Sequence, residues 1–288
     1  MTAVVHPCDV LALASAVACA KAGLIVPVLV GNKAKIESIA SSASLDIAGF
    51  DVVTAAHSHA AAAAGAELAR TGRVEALMKG SLHSDELLHE VTRPDSGLHT
   101  ERRMSHAFVV DVPSYAEPLI ITDAVVNVSP TLEQKRDIVQ NAVVLAIALE
   151  IRDVRVAVLS AVETVNSAIP STVDAAALSK MAERGQITGA KVDGPLALDD
   201  AVSGPAALEK GLSSPVAGCA NVLVVPGFEA GNILAKGLIL LSEAAAAGIV
   251  LGACVPVILA GRADSVATRV ASAAVALLLA RHSPPAVR

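Results

Sequence analysis

The sequence has almost no aromatic residues: among 288 residues there is no Trp, one Tyr and three Phe. Charge is also sparse, since Lys, Arg, Asp and Glu make up 17% of the chain and the formal net charge is −6. Proteins that bind nucleic acid usually carry basic patches, and those that bind single strands add aromatic side chains on which bases stack. Because both features are scarce here, we expect no nucleic-acid partner.

Paired cysteines and uninterrupted apolar segments of membrane length are lacking too. None of the four cysteines belongs to a CxxC pair, so we expect free, buried thiols rather than a zinc site or disulfides. The uncharged segment 244–261 contains Gly248, Gly252 and Pro256, which favours a buried helix end, a loop and a strand over a membrane span. Asp9 precedes the N-terminal apolar segment, where a signal peptide would have Lys or Arg. We therefore expect a cytoplasmic protein without membrane association.

Aliphatic residues are abundant, and 53% of the chain is hydrophobic. Short β-branched segments alternate with Ala-rich helical segments, which predicts an α/β fold with mainly parallel sheets, and the length suits two domains. The predicted strands are 24–30, 74–78, 107–112, 119–122, 154–159, 222–225 and 256–260. The predicted helices are 9–22, 33–40, 57–70, 84–91, 130–151, 173–184, 229–247 and 266–281. For the fifth helix, the sequence predicts Ser129 as N-cap and Pro130 in the first turn.

The loop 261–265 lies between the last predicted strand and the last predicted helix, where open α/β sheets bind ligands. A helix N-terminus offers free N–H groups and positive potential to a phosphate, and Arg262 is suited to bind two of its oxygens. Asp264 is either a base or a group that orients Arg262, and Ser265 is the expected N-cap. A surface Arg beside an ordinary Asp/Ser cap explains the same residues without a ligand.

Other loops add further polar residues. The segment 79–84 follows a predicted strand and combines a cation, a glycine and hydroxyls without forming a Walker motif. Residues 83–106 include four of the eight histidines, with spacings that do not match a zinc site, so the basic cluster indicates an anionic ligand. Polar residues also occur in 122–127, 192–200, 213–221 and 226–236. The polar residues of any one loop can be explained as ordinary turn-forming residues. The presence of several such loops, however, predicts that they line one shared cleft.

Several long segments of these same loops resemble the phosphate acetyl/butyryl transferase family. They are MKGSLHSDELL (78–88), LHTERRMSH (98–106), ITDAVVNVSP (121–130), LSAVETVNSAIPST (159–172), KMAERGQITGAKVDGPLALDDAVS (180–203), SSPVAGCANVLVVPGFEAGN (213–232) and GIVLGACVPVILAGRADS (248–265). RADS and DGPLALDDA are similar to the phosphate butyryltransferase-like branch.

The resemblance implies a fold similar to the isocitrate/isopropylmalate dehydrogenases, with two α/β domains and a cleft between them. The first domain would comprise 1–115 and 250–288. The second, 116–249, would carry the dimer contact, so we expect a homodimer. The implied reaction is the reversible transfer of an acetyl or short-chain acyl group between coenzyme A (CoA) and inorganic phosphate. CoA is then a substrate rather than a permanently bound cofactor, and the reaction requires no metal.

The resemblance also implies the residues of the site. The catalytic candidates are Arg262, Asp264 and Ser265. The substrate-binding candidates are Lys79, Gly80, Ser81, His83, Arg103, Ser105, His106, Thr122, Asp123, Asn127, Gly231, Asn232 and Lys236.

The sequence departs from the family pattern at two of its positions. A Ser-Arg pair of the family stands where this sequence has Gly261 and Arg262, and the acetyltransferase branch has an Asp at the position of Thr268. The first departure leaves the hydroxyl donor role to Ser265, Ser81 or a backbone N–H, and the second makes Asp264 the candidate for a replacement base.

Two alternatives remain open at this point. One is a non-catalytic paralogue that binds acyl-CoA or acyl phosphate, which Gly261 would suit. The other is a metal- and NAD-dependent decarboxylating dehydrogenase on the same fold, with Asp193, Asp199 and Asp200 near the metal.

Overall fold

The computed structural model of the protein describes residues 1–261 and 264–282. The strands are β1 (Thr2–Val5), β2 (Pro27–Gly31), β3 (Asp51–Thr54), β4 (Ala76–Lys79), β5 (Ser105–Asp111), β6 (Leu119–Thr122), β7 (Arg155–Leu159), β8 (Lys191–Leu196), β9 (Val222–Val224), β10 (Ala245–Leu251) and β11 (Val257–Ile258). The helices are α1 (Val10–Lys21), α2 (Lys33–Ser42), α3 (Ser58–Arg70), α4 (Ser84–Thr92), α5 (Leu132–Ala148), α6 (Pro170–Glu183), α7 (Leu198–Val202), α8 (Gly204–Glu209), α9 (Phe228–Leu241) and α10 (Val266–His282).

The chain separates into two compact units, of which the first comprises Met1–Arg102 and Ala247–Arg288. Its strands lie in the order β3-β2-β1-β4-β11-β10. The pairs from β3 to β11 are all parallel, and β10 is antiparallel to β11. The carboxyl ends of β1, β2, β3, β4 and β11 therefore lie along one edge of the sheet, and a helix begins shortly after each of them.

The second unit comprises Arg103–Ala246. Its strands lie in the order β5-β6-β9-β7-β8, with β5 antiparallel to β6 and the remaining pairs parallel. Apolar residues of the strands, such as Ile121, Leu159 and Leu223, are buried in the core of this unit. The mixed α/β fold with mainly parallel strands confirms the predicted fold class. The predicted division into two domains, 1–115 with 250–288 and 116–249, stays a prediction.

Three predictions about elements are wrong. The helix predicted over 229–247 ends at Leu241, because the Ala-rich residues after it form β10, where pairing with β11 overrides helix propensity. The helix α5 is capped by Thr131 rather than Ser129: the Thr131 hydroxyl accepts from the Gln134 N–H, and the Gln134 Oε1 accepts from the Thr131 N–H. Residues 192–196 of the predicted loop 192–200 belong to strand β8, which contains Gly194 and Pro195.

The cysteine prediction holds for part of the set. All four are free, and Cys8 and Cys19 are buried, but Cys219 is exposed and Cys254 is half-buried. Burial raises the pKa of the Cys19 thiol to about 11, so this thiol stays protonated at neutral pH. None of the helices in the described ranges combines the length and the apolar character that crossing a membrane requires.

Candidate active site

Helix N-termini dominate the carboxyl edge of the sheet in the first unit. Asp9 caps α1, Asn32 caps α2 and His57 caps α3, each accepting a backbone N–H of the first turn at 2.7–3.2 Å. Ser265 caps α10, since its Oγ accepts the Thr268 N–H at 3.1 Å. The cap predicted at Ser265 is thereby confirmed. The positive ends of these helices make the edge favourable for an anion.

The turn between β4 and α4 is packed closely against the end of β1. The Gly80 N–H donates to Val5 O at 2.8 Å, and the Ser81 N–H donates to His6 O at 2.9 Å. A Cβ at Gly80 would lie 2.4 Å from Val5 O and 2.6 Å from His6 O, so only glycine permits this approach. The Ser81 Oγ also donates to His6 O at 2.8 Å. Gly80 and Ser81 are thus held firmly, with Ser81 half-buried.

Two buried cations connect this turn with the loop before α10. Lys79 is 2% exposed, and its Nζ donates to Gly80 O and to Ala260 O at 3.4 and 3.3 Å. Arg269, on α10, is 1% exposed and donates from Nη2 to Gly261 O at 2.9 Å and from Nη1 to Lys79 O at 3.4 Å. Burial lowers the pKa of the Arg269 guanidinium from its ordinary value. The ends of β4 and β11 are therefore tied together through backbone carbonyls.

Gly261 and Asp264, described residues of the last loop, are hydrogen-bonded to each other. The Gly261 N–H donates to Asp264 Oδ2 at 2.6 Å, so one oxygen of this carboxylate is engaged by the backbone. Arg262, the predicted phosphate ligand, lies outside the described residues. His83, at the start of α4, is exposed, and its N–H donates to Glu86 Oε1 at 3.1 Å. In the first unit, the structure thus brings the turn at Lys79, Gly80 and Ser81 beside Ala260 and Gly261.

The other predicted residues belong to the second unit, at the carboxyl end of β6. Thr122 is buried, and its Oγ1 donates to His106 O at 2.9 Å. Asp123 and Asn127 are each 3% exposed. The Asp123 carboxylate accepts the N–H groups of residues 125, 126 and 127 at 2.9–3.1 Å and the Asn127 Nδ2 at 2.5 Å. This loop is therefore built around a buried carboxylate.

Arg103 is joined to that loop by its side chain. Its Nε donates to Asn127 Oδ1 at 2.7 Å, while the side chain as a whole is exposed. Ser105 and His106 follow in β5, and both are fully buried. The Ser105 Oγ accepts Asn141 Nδ2 at 3.0 Å, and the His106 ring lies edge-on to the ring of Phe108, 4.6 Å away. Of these three residues, Arg103 is the one whose side chain reaches solvent.

Helix α9 contacts the same loop. A Cβ at Gly231 would lie 2.8 Å from Asp123 O. The helix can therefore approach the loop this closely only because position 231 is a glycine. Asn232 Nδ2 donates to Ala124 O at 3.2 Å. Lys236 is exposed one turn further along the helix. The structure thus brings Gly231 and Asn232 to Asp123, and the single cleft predicted for all the loops stays a prediction.

Sequence reasoning missed three buried or half-buried polar residues that support these loops. Arg269 lies on α10, and Asp137 and Asn141 lie one turn apart on α5, where both contact Arg103. The available signal was polar residues at a spacing of four on a helix that is otherwise apolar on one face.

The aspartates of the alternative dehydrogenase hypothesis have other partners. Lys210 Nζ lies 3.0 Å from Asp200 Oδ2 and 3.4 Å from Asp199 Oδ2. Asp193 Oδ1 accepts the Gly194 N–H at 2.8 Å. Across residues 1–261 and 264–282, no group of three or more His, Cys, Asp or Glu side chains is arranged to hold a metal ion.

Comparison with known proteins agrees with the resemblance noted from the motifs. Residues 58–277 match the family described as phosphate acetyl/butaryl transferase. A phosphate acetyltransferase from Rhizobium meliloti is 57% identical over 280 residues, which cover 97% of this chain and 89% of that protein. A phosphate butyryltransferase from Clostridium acetobutylicum is 41% identical over 260 residues, which cover 90% of this chain and 86% of that protein.

Solved structures show the same fold. A branched-chain phosphotransacylase from Enterococcus faecalis V583 superposes with a TM-score of 0.82 at 29% identity, covering 97% of this chain and 98% of that one. A 4-hydroxythreonine-4-phosphate dehydrogenase from Klebsiella pneumoniae, at 14% identity and a TM-score of 0.55 over 97% and 99% of the two chains, shares the fold alone. The predicted likeness to a dehydrogenase-like fold is confirmed.

Together, the fold and these matches define an acyltransferase. The chain belongs to the phosphate acetyl/butaryl transferase family, as the motifs predicted. Its reaction is reversible acyl transfer between coenzyme A and phosphate.

Proposed function

We propose that this enzyme transfers an acetyl or short-chain acyl group, with the phosphate bound at the carboxyl edge of the sheet in the first unit. The observation that carries the proposal is the adjacency of two loops there. Lys79 Nζ donates to Ala260 O at 3.3 Å, so the β4–α4 turn lies beside the residues that lead into α10. Helix N-termini and buried cations favour a dianion at this edge.

The chemistry requires few protein groups. A phosphate oxygen attacks the thioester carbonyl of acyl-CoA, the carbonyl oxygen takes up negative charge, and the carbon–sulfur bond breaks to give acyl phosphate and the CoA thiolate. A donor must face the developing oxyanion. Ser265 or a backbone N–H is suited to that role, whereas the Ser81 hydroxyl and N–H already donate to His6 O. In the reverse direction, a thiol with an ordinary pKa of about 8.5 needs a base or a cationic site to attack as thiolate.

We assign the roles as follows. Arg262 binds the phosphate through its planar fork of donors, and Asp264 orients it or acts as base. Ser265 and the turn at Lys79, Gly80, Ser81 and His83 contribute to the same subsite. The second unit contributes Arg103, Asp123, Asn127, Asn232 and Lys236 to the binding of CoA or phosphate. The buried residues Ser105, His106, Thr122 and Gly231 support the loops that carry them. CoA binds as a substrate, and we expect a cytoplasmic homodimer.

The deciding experiment measures CoA release with a thiol reagent from acetyl-CoA, propionyl-CoA and butyryl-CoA in the presence of phosphate. We expect phosphate-dependent turnover that survives EDTA, and the order of initial rates identifies the preferred acyl chain. Binding without turnover favours a non-catalytic paralogue instead. Turnover that needs a divalent ion and reduces NAD favours the dehydrogenase hypothesis.

Replacing Arg262 tests the phosphate subsite. Loss of a charged donor in a desolvated site costs about 2–4 kcal/mol, or roughly 30- to 1000-fold in rate, so Arg262→Ala should lose that much kcat/KM while its thermal unfolding stays close to that of wild type. Arg262→Lys should recover part of the loss, since an ammonium cannot form two parallel bonds. Arg281→Ala removes an exposed arginine from the same unit and serves as control. Near wild-type kinetics of Arg262→Ala at every phosphate concentration would show that the subsite is misplaced.

A further inference from the structure

We propose that Asp123 and Asn127 are positioning residues, which hold the Arg103 guanidinium in place to bind a phosphoryl group of the substrates. The inference rests on the proposed function and changes the roles of two residues within it. Asp123 and Asn127 then act through Arg103 rather than by touching the substrate. Arg103 is the group that contacts it.

Arg103 is held at three points although its side chain is exposed. Its N–H donates to Asp137 Oδ2 at 3.0 Å, its carbonyl accepts Asn141 Nδ2 at 2.9 Å, and its Nε donates to Asn127 Oδ1 at 2.7 Å. A surface arginine without such partners samples many rotamers and loses that freedom when it binds a ligand. An arginine fixed beforehand avoids most of this loss.

Asn127 has its amide orientation fixed by its other partners. Nδ2 donates to Met104 O at 2.8 Å and to Asp123 Oδ2 at 2.5 Å, which leaves Oδ1 as the acceptor for Arg103. Both Nδ2 protons are therefore used within the protein. A rotated amide would place donors against the guanidinium, so this arrangement has one orientation.

Both carboxylate oxygens of Asp123 accept hydrogen bonds within the protein, so Asp123 does not contact a substrate directly. Its Oδ1 accepts the Val125 and Val126 N–H groups, and its Oδ2 accepts both the N–H and the Nδ2 of Asn127. With 3% exposure, the carboxylate is surrounded by the loop that it organises. Its contribution to function is to fix Asn127.

The outer end of Arg103 is the part left for a ligand. In the described ranges, 1–261 and 264–282, its Nη1 and Nη2 have no hydrogen-bond partner, whereas Nε does. Two parallel N–H groups match two oxygens of a phosphoryl group. Inorganic phosphate and the phosphates of CoA offer the same chemistry, so the experiment must distinguish them.

The test compares wild type, Arg103→Ala, Asn127→Ala and the double variant, with kcat and KM measured for phosphate, acetyl-CoA and acetyl-3′-dephospho-CoA. We expect Arg103→Ala to raise one KM about ten- to hundredfold with a smaller change in kcat. A raised phosphate KM assigns inorganic phosphate. A raised KM for acetyl-CoA alone assigns the 3′-phosphate, and a raised KM for both thioesters assigns the diphosphate. Arg184→Ala, which removes an exposed arginine of the same unit, should leave every constant unchanged.

The double variant decides the positioning role. If Asn127 acts through Arg103, Asn127→Ala raises the same KM when it is introduced into the wild-type protein. Introduced into Arg103→Ala, it causes no further increase in that KM. Effects that multiply, or an unchanged KM in either single variant, would overturn the proposal.

A second variant covers the possibility that Asn127→Ala does not fold. Arg103→Lys keeps the charge but lacks the Nε donor, so we expect it to raise the same KM, and a wild-type KM would overturn the proposal. If wild type shows no turnover, the proposed function fails. Equilibrium binding of CoA and of phosphate to wild type and Arg103→Ala then still decides whether Arg103 binds a phosphoryl group.

Discussion

At the scale of single residues, Asp264 has a partner that separates its two possible roles. Its Oδ2 accepts the Gly261 N–H at 2.6 Å, which stabilises the turn before α10. An asparagine can accept the same hydrogen bond through its amide oxygen but cannot act as a base. The two roles therefore differ in what Asp264→Asn does to the pH–rate profile.

We expect Asp264→Asn to keep the acidic limb of that profile and to raise mainly the phosphate KM, because the hydrogen bond to Gly261 survives and the negative charge two positions after Arg262 in the sequence is lost. Asp264→Ala should raise the phosphate KM further, since it also removes the hydrogen bond to Gly261, which is worth about tenfold. Initial rates as a function of pH and phosphate check this. Loss of the acidic limb in Asp264→Asn would identify Asp264 as the base.

The sequence predicted which residues belong to the site, but it could not predict which of their side-chain atoms are exposed to a ligand. The motifs picked out Arg103, Asp123 and Asn127, but they treated all three as substrate ligands. Burial and hydrogen bonding divide them into an exposed guanidinium and two side chains that are engaged inside the protein. Arg269 escaped notice because it lies in the first turn of α10, among small and mostly apolar residues, and not in a loop.

At the scale of elements, α9 contains two glycines in opposite surroundings. A Cβ at Gly231 would lie 2.8 Å from Asp123 O and 2.9 Å from Val225 Cγ2, whereas a Cβ at Gly237 would meet nothing within 4 Å. We expect Gly231→Ala to lower the free energy of unfolding by about 1–3 kcal/mol through overpacking. Gly237→Ala should raise it by up to about 1 kcal/mol, because alanine favours the helix.

Chemical denaturation of the two variants measures this difference, and each serves as the control for the other. Gly231→Ala should also reduce activity, because the helix presses on the loop that contains Asp123 and Asn127. Equal stability of the two variants would mean that α9 shifts away from the loop at little cost.

The sequence patterns predicted most of the elements whose periodic or apolar segments are long. All eight predicted helices are present, with ends that differ by a few residues, except for 229–247. The strands that were missed are short or contain residues typical of loops: β1 and β3 have four residues each, and β8 contains Gly194 and Pro195. In β10, an Ala-rich segment has strong helix propensity, but it pairs antiparallel with β11, which begins six residues after β10 ends. Strand formation of this kind depends on packing against neighbouring strands rather than on the propensity of the segment itself.

At the scale of the whole molecule, the expected homodimer needs an apolar surface on the second unit. Helix α9 offers one, since Ile233, Leu240 and Leu241 are 72%, 75% and 87% exposed and lie at a spacing that places them on one side of the helix. Large apolar side chains grouped on a surface are typical of an interface. A second copy of this chain is the occupant that the family resemblance implies.

We therefore expect light scattering to give about twice the 29.0 kDa chain mass at micromolar concentration. Leu241→Lys should shift the protein toward the monomer, because a desolvated ammonium at an interface has a large cost. Val26→Lys, at an exposed position of the first unit, should leave the mass of the dimer unchanged. A species of 29.0 kDa alone in the wild-type protein would refute the dimer, and an unchanged dimer in Leu241→Lys would place the interface elsewhere than α9.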